Sequence, residues 1–363
     1  MSWCKSRCFG GNNEYQDFEV TIDDLGSRAL LVRAAIVTED GNVSVETIDD
    51  PKPLPGEVVI KVAACGICGT DLHIANGEFA TTYPITPGHE FAGEVVEVGD
   101  PGGDLRVGQR VVVDPSLYCH ECYYCRLGRN NLCERWGAIG VSQQGGAAEY
   151  VAVPRANCVI LPEHVRTEDA ALVEPLSCAI RGYDILRQRL GSSVLIYGAG
   201  TMGLMMLQLA KLVGASTVNI VDPNLERLKT AELLGTSASA TSPEDLVAPR
   251  GWDLVIDASG NQQAIQDGLG RVGPGGTFLQ FGVADYGAHV TIDPYRIYNK
   301  EITITGSMAV LNSFDRASQL FSNGVIDPEI FISDRLSLEE FPQALQKFAS
   351  GSGRKIQVRP GNL

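Results

Sequence analysis

The feature that most constrains the fold of this chain is a glycine-rich turn between an apolar strand and an apolar helix. The strand covers residues 194–197, the turn follows at residues 198–203, and the helix continues to Lys211. In such a turn the first glycine permits a sharp bend, the second admits a pyrophosphate, and the third lets helix and strand pack closely. The pyrophosphate is held at the positive end of the helix. This context predicts a dinucleotide site formed by Gly198, Gly200, Thr201, Met202 and Gly203.

An acidic residue follows the next apolar strand, at Asp222. A carboxylate at this position accepts hydrogen bonds from the adenosine ribose hydroxyls and repels a 2′-phosphate, which favours NAD over NADP. Two alternatives stay open at this stage. Asp222 can simply cap the turn before Pro223, and Arg227 can moderate the repulsion and admit NADP.

The pattern of apolar residues divides the chain into two kinds of segment. From about residue 165 onward, apolar strands alternate with helical stretches, which predicts a parallel sheet covered on both faces. Residues 33–165 contain short strands separated by turn residues, beginning with a hairpin about residues 39–42, and this is typical of a small barrel. With 363 residues and about 150 per domain, the chain is predicted to have two domains of the α/β class. Residues 1–32 are interpreted as a polar extension that is disordered or begins at an early start codon.

Composition and charge exclude several classes of partner. The chain has 29 Lys and Arg against 44 Asp and Glu, a net charge of -15. This balance argues against binding to nucleic-acid phosphates or to anionic membranes. The absence of a long apolar run and of a secretory pattern at the N-terminus predicts a cytoplasmic protein. In that reducing compartment, the clustering of six of the ten cysteines favours metal binding over disulfides.

The sharpest local signal is a four-cysteine segment within residues 115–135. Four thiolates with gaps of two, two and seven residues can surround one zinc ion, which leaves no open position and makes the ion structural. An iron–sulfur cluster is disfavoured, because the ferredoxin pattern has three residues before its last cysteine and a proline after it. The predicted ligands of the structural zinc are Cys119, Cys122, Cys125 and Cys133.

A second group of possible ligands is spread over three segments. Cys68 ends a strand, His89 and Glu90 precede another strand, and Glu174 lies at the junction with the second half. A catalytic zinc takes about three protein ligands and leaves one position open. The residues therefore predict Cys68, His89 and either Glu90 or Glu174 as ligands, with Asp71 able to hold the ring of His89. Taken singly, each of these residues is as compatible with a structural role, buried or at the surface, as with binding a metal.

Together these motifs resemble the zinc-containing medium-chain alcohol dehydrogenase family from about Arg33 to Val358. The resemblance is carried by residues 68–71, residues 88–93, the four cysteines and the glycine turn. It implies a GroES-like β-barrel catalytic domain, at residues 33–176 and 309–363, and a Rossmann NAD-binding domain at residues 177–308.

The resemblance also implies roles for single residues. Cys68 rather than Cys65 would be the ligand, because it directly precedes the Gly-Thr-Asp sequence. Thr70 and His73 match the positions of the family's proton relay, and Lys355 matches a basic position that reaches toward the cofactor phosphates. Glu174 replaces the second ligand cysteine of ethanol-type enzymes, as in the sorbitol, glucose and threonine dehydrogenase branches.

The predicted function is transfer of hydride between a secondary alcohol, such as a polyol, sugar or cyclitol, and NAD, with two zinc ions per chain. A carboxylate is a harder ligand than a thiolate and would suit a substrate that chelates through adjacent hydroxyls. One alternative is a threonine or other amino-alcohol dehydrogenase, and another is a non-catalytic NAD-binding structural or sensor protein. The alternating sequence of residues 301–306 predicts a strand at the edge of the parallel sheet, and hence a homodimer or homotetramer.

Overall fold

The computed structural model describes residues 31–79 and 81–361. Cys4, Cys8 and nearly all of the predicted N-terminal extension lie outside these residues. No helix in the described ranges is both long enough and apolar enough to cross a membrane.

The first part of the chain is dominated by antiparallel strands rich in valine and isoleucine, which suit a pleated, half-buried surface. Among its described residues, the α-helices are α1 (Gly69–Ala75) and α2 (Tyr123–Arg126). Its strands are β1 (Leu31–Val37), β2 (Val43–Asp49), β3 (Glu57–Gly66), β4 (Glu90–Val98), β5 (Arg110–Val113), β6 (Ser116–Leu117), β7 (Gly137–Ala138), β8 (Tyr150–Pro154) and β9 (Cys158–Ile160).

The second part alternates strands with helices, as the sequence predicts. Its helices are α3 (Val173–Leu186), α4 (Thr201–Leu212), α5 (Leu225–Leu233), α6 (Gln262–Arg271), α7 (Pro294–Lys300), α8 (Phe314–Ser322), α9 (Pro328–Phe331) and α10 (Phe341–Ala349). Its strands are β10 (Ser193–Tyr197), β11 (Thr217–Val221), β12 (Ala238–Ala240), β13 (Trp252–Asp257), β14 (Val272–Gln280), β15 (Thr303–Gly306), β16 (Ile332–Ser337) and β17 (Lys355–Arg359).

Two large sheets organise these elements. The strand order β12-β11-β10-β13-β14-β15 is parallel throughout and is that of a doubly wound dinucleotide-binding sheet. The other sheet runs β16-β17-β3-β4-β5-β9, with β8 also paired to β3. The end of the chain thus returns to the first part, because β17 pairs with β3. The α/β fold class and the β1–β2 hairpin are confirmed.

Two predicted elements begin later than their sequence pattern indicates. The stretch from residue 168 starts as a 3₁₀ helix at Thr167–Leu172, and α3 begins only at Val173. Pro175 has no N–H to donate, and it is tolerated in the first turn of an α-helix but not further inside one. The edge strand begins at Thr303, because Glu301 takes a left-handed conformation (φ 51°) that ends α7.

Candidate functional site

Three of the predicted ligands of a catalytic metal come together where β3 and β4 meet. One ligand atom from each of Cys68, His89 and Glu90 lies within 4.8 Å of the other two. Cys68 precedes α1 directly after β3, and Glu90 is the first residue of β4, opposite Gly66 of β3. The antiparallel pairing of two strands that are distant in sequence therefore builds this cluster.

The chemistry of this cluster fits a zinc ion. His89 and Glu90 are buried, and Cys68 is partly buried. Burial alone would lower the pKa of His89, but the sulfur of Cys68 and the carboxylates of Asp71 and Glu174 raise it well above the usual value. A site that holds a cation on histidine by surrounding it with anions is suited to a divalent metal. Thiolate, imidazole and carboxylate are all common zinc ligands.

Asp71 forms hydrogen bonds to the backbone next to these ligands and does not form one to the ring of His89. Its Oδ2 accepts from the N–H of Cys68 at 2.8 Å, and its Oδ1 accepts from the N–H of Gly88 at 3.3 Å. Nδ1 of His89 is 3.8 Å from Oδ1 of Asp71, which is too long for a hydrogen bond. The expected fixing of the His89 ring by Asp71 is therefore wrong for this structure, and Asp71 orders the chain on both sides of the cluster instead.

Glu174 lies near the cluster without joining it. Its charge acts on His89, and burial raises the pKa of Glu174 to about 7, with His89 acting in the opposite direction. The thiol of Cys178 donates to Oε1 of Glu174 at 3.4 Å. Cys178 follows Glu174 by four residues, which places the two side chains on one face of α3.

Lys355 occupies a different environment from the one that the family resemblance implies, which is near the cofactor phosphates. Its Nζ donates to both carboxylate oxygens of Glu90, at 2.6 and 2.7 Å, and to the carbonyl of Ile67 at 3.0 Å. Burial would lower the pKa of Lys355, but the Glu90 carboxylate raises it, so the side chain stays an ammonium. The expectation that Lys355 points at the cofactor phosphates is corrected to this extent: its ammonium group is paired with Glu90, beside Cys68 and His89.

The two predicted relay residues lie on α1, one turn apart. The Oγ of Thr70 is 3.9 Å from the sulfur of Cys68, and Nδ1 of His73 contacts Oε2 of Glu78 at 2.5 Å. His73 is partly exposed to solvent. No direct hydrogen bond joins Thr70 to His73 in the described residues, so the relay stays a prediction.

The four-cysteine segment has the geometry of a closed metal site. All four sulfurs lie within 4.8 Å of one another, and three pairs are 3.4, 3.9 and 4.0 Å apart. A tetrahedron with Zn–S bonds of about 2.3 Å requires sulfur separations of roughly 3.8 Å. Backbone N–H groups also donate to the sulfurs, as from Cys122 to Cys119 at 3.3 Å. Desolvation would raise the pKa of Cys119, but the N–H of Cys122 and hydrogen bonds from the side chains of Arg135 and Cys133 lower it to about 6.

The glycine turn joins β10 to α4, as predicted. Gly198 has φ 98°, and a Cβ on Gly203 would lie 1.8 Å from the carbonyl oxygen of Gly198. Only glycine fits either position. Thr201 and Met202 form the first turn of α4, whose N-terminus opens at the carboxyl edge of the parallel sheet, where such folds bind ligands.

Asp222 holds the turn after β11, which is one of the roles that the sequence left open, and its binding of the ribose stays a prediction. Its Oδ2 accepts from the N–H of Ala199 in the glycine turn at 2.7 Å, and its Oδ1 accepts from the N–H of Asn224 at 2.8 Å. Arg227 lies 3.8 Å from Asp222 and donates to the carbonyl of Gly351 at 2.7 Å. Each carboxylate oxygen keeps a further lone pair for a ribose hydroxyl.

One cleft among the described residues has none of the predicted site residues in its lining. That cleft has a volume of about 980 Å³ and lies at the amino ends of β10, β13 and β14, around Ser193, Trp252 and Val272. It is therefore at the opposite edge of the sheet from the glycine turn. We assign it no part in the chemistry.

Comparison with known proteins identifies the family. Residues 54–163 match the alcohol dehydrogenase GroES-like domain, and residues 201–323 match the zinc-binding dehydrogenase domain. The chain is 38% identical over 317 residues to D-arabinitol dehydrogenase 1 of Uromyces fabae, covering 84% of this chain and 90% of the relative. It is 33% identical over 338 residues to L-threonine 3-dehydrogenase of Streptomyces avermitilis, covering 89% and 98%.

A solved structure with the same fold also matches nearly the whole chain. A zinc-binding dehydrogenase of Sinorhizobium meliloti 1021, bound to NADP, superposes with a TM-score of 0.88 and 36% sequence identity. The match covers 91% of this chain and 99% of the other.

Proposed function

This chain belongs to the zinc-containing medium-chain alcohol dehydrogenase family, and we propose that it oxidises a secondary alcohol of a polyol, sugar or cyclitol with NAD. The observation that carries the proposal is the cluster of Cys68, His89 and Glu90 with the buried Glu174 beside it. Carboxylate oxygens are harder ligands than the second thiolate that they replace. A metal ion held by them would bind substrate oxygens more readily. The relationship to D-arabinitol dehydrogenase 1 supports a polyol in particular.

In the proposed site, Cys68, His89 and Glu90 hold the catalytic zinc, and Glu174 stands next to it as an alternative ligand. When bound, zinc supplies Lewis acidity that lowers the pKa of a substrate hydroxyl. Lys355 holds Glu90 in place, and Cys178 does the same for Glu174. With a raised pKa, Glu174 can hold or release a proton near neutral pH.

The chain's own residues would remove the proton that the substrate hydroxyl loses. Thr70, beside Cys68, would accept it first, and His73 would pass it to solvent, because its side chain is partly exposed. The contact between His73 and Glu78 orients the imidazole at the protein surface. When bound, the nicotinamide would supply the hydride acceptor, and that chemistry belongs to the cofactor.

NAD is the proposed cofactor, and NADP is the alternative. Asp222 lies at the carboxyl end of β11, where a 2′-phosphate would meet its negative charge. Arg227 and the NADP found in the Sinorhizobium meliloti relative favour the alternative. We further propose two zinc ions per chain, with the second in the four-cysteine site.

The domain bounds, the cellular location and the oligomeric state are also proposed here. Pairing of β17 with β3 supports a catalytic domain of residues 33–176 and 309–363 around a dinucleotide domain of residues 177–308. We propose that the enzyme works in the cytoplasm as a homo-oligomer.

A substrate panel tests the function. Ribitol, sorbitol, arabinitol and inositols are compared with ethanol and L-threonine, each with NAD and with NADP, by following NADH or NADPH at steady state. The proposal expects the highest kcat/KM with a polyol or cyclitol and NAD. Faster turnover of ethanol would contradict the polyol assignment, and faster turnover of L-threonine would favour the amino-alcohol alternative. A protein that binds NAD but turns over none of these substrates would favour the non-catalytic alternative.

A further inference from the structure

One side chain of the four-cysteine segment, that of Asn131, forms a hydrogen bond to a loop at the edge of the parallel sheet. Asn131 lies between Cys125 and Cys133 and is only 4% exposed. Its Nδ2 donates to the backbone carbonyl of Met308 at 3.0 Å, although the two residues are 177 positions apart. Its Oδ1 has no partner in the described residues, so the contact with Met308 is the only hydrogen bond that this side chain makes there.

Met308 belongs to a loop of residues 307–313 at the edge where the cofactor is proposed to bind. Tyr197, Asp257, Gln280 and Gly306 stand in one register row across β10, β13, β14 and β15. Gly198 continues directly from the first strand of this row, and Ser307 continues from the last. The loop and the glycine turn thus leave the same edge of the sheet, separated by three strand spacings, or about 14 Å.

This loop needs outside contacts to keep its shape. Ala309 and Asn312 have φ values of 48° and 51°, in the left-handed region, which costs free energy for a residue with a Cβ such as alanine and less for asparagine. At its start, the N–H of Ser307 donates to the carbonyl of Gln280 at 3.1 Å. At its end, the hydroxyls of Ser313 and Ser177 are 2.9 Å apart and fully buried. Between these two anchors, Asn131 holds the carbonyl next to Ala309.

We propose that Asn131 is a positioning residue, which fixes the loop of residues 307–313 against the nicotinamide half of the cofactor. This inference rests on the proposed function, because it takes the carboxyl edge of the sheet as the cofactor site. It gives the four-cysteine segment a role beyond its own stability. The metal that orders the segment also orders Asn131, and Asn131 orders a wall of the cofactor cleft.

The test is the substitution Asn131→Asp in the full-length, zinc-loaded protein. Aspartate has nearly the same shape but cannot donate to the carbonyl of Met308. The matched control is Asn130→Asp, which adds the same charge one residue away, at a side chain with no such bond. The measurements are zinc per chain, the Kd of NADH by fluorescence, kcat and KM for NAD with the best polyol, and hydrogen exchange of residues 307–313.

The proposal expects a specific pattern. Asn131→Asp should keep its zinc, weaken NADH binding about fivefold, as expected for one lost hydrogen bond, and speed hydrogen exchange in residues 307–313. KM for NAD should rise more than kcat falls, and Asn130→Asp should behave like the wild type. If Asn131→Asp loses zinc, the uncharged Asn131→Ala replaces it as the test variant.

Two results would overturn the inference. One is unchanged NADH affinity and unchanged exchange in the loop, even if the variant is less stable. The other is loss of zinc from both Asn131→Asp and Asn131→Ala, because Asn131 would then serve only to hold the metal segment together. Failure of the proposed function looks different: the wild-type protein itself would not bind NADH, or would bind it and turn over none of the alcohols.

Discussion

At the scale of single residues, the most consequential contact is the ion pair of Glu90 with Lys355. Both side chains are almost completely buried, with 2% and 4% of their surface exposed. Removing a charge from water is costly, and such a pair persists only because each partner compensates the other. Glu90 therefore lies beside Cys68 and His89 with its charge already paired. Glu174 has no such ion pair in the described residues: it accepts a hydrogen bond from the thiol of Cys178 and is acted on by the charges of His89, Glu90 and Lys355.

The substitution Lys355→Met should reveal how strongly Glu90 depends on its partner. It leaves a buried carboxylate without its cation, and the free energy of unfolding should fall by about 3–5 kcal/mol. Urea unfolding measures this loss. The double variant Glu90→Gln with Lys355→Met removes both charges and should recover most of the stability. A single variant as stable as the wild type would mean that the pair does not hold the site together.

The substitution Cys68→Ser should separate metal chemistry from cofactor binding. Loss of the thiolate should lower zinc content by about one ion per chain and reduce kcat to background, because the cluster keeps only two ligands. The Kd of NADH should stay nearly unchanged, since the glycine turn uses other residues. Cys65→Ala is the control, because Cys65 is buried nearby but is not part of the ligand cluster. Retention of half the rate by Cys68→Ser would remove Cys68 from the ligand set.

At the scale of elements, the four-cysteine segment has little regular structure of its own. Within residues 115–135 it contains the two-residue β6, the short α2 and a 3₁₀ turn at Asn130–Leu132, so we expect its shape to depend on the sulfurs and the proposed metal. Cys125→Ser should therefore damage folding and assembly more than chemistry. Thermal unfolding and zinc analysis measure the damage. In the folded fraction, the loss of activity should be no larger than that of Asn131→Asp, and a stable, fully folded but inactive variant would contradict the structural assignment.

Elements built from neighbouring residues could be predicted from the sequence. The turn at Gly198–Gly203, the spacing of the four cysteines and the alternation of strands with helices are local patterns, and each appears where it was expected. The pair of Glu90 with Lys355 joins residues 265 positions apart, and the contact of Asn131 with Met308 spans 177 positions. No local periodicity records such contacts, because they arise from strand order and from the return of β17 to β3. The pattern of apolar residues also does not predict the later start of α3, which depends on one residue, Pro175, and its missing N–H.

At the scale of the whole molecule, one edge of the parallel sheet is suited to assembly. β15 is the last strand in that sheet, and Ile304 within it is 43% exposed. Tyr295 and Tyr298 on the preceding α7 are 71% and 82% exposed. An unpaired strand edge with large apolar side chains beside it favours pairing with a second copy, and we propose that this edge forms the subunit contact.

The substitution Ile304→Lys should weaken that contact. A charge on an edge strand is a common way in which proteins prevent pairing, because it must be desolvated when another strand arrives. Light scattering after size-exclusion chromatography should show a dimer or tetramer for the wild type and a shift toward monomer for the variant. The control is Ser239→Lys on β12, at the other edge of the same sheet, which should keep the wild-type mass. If Ser239→Lys dissociates the protein and Ile304→Lys does not, the two chains meet at the opposite edge.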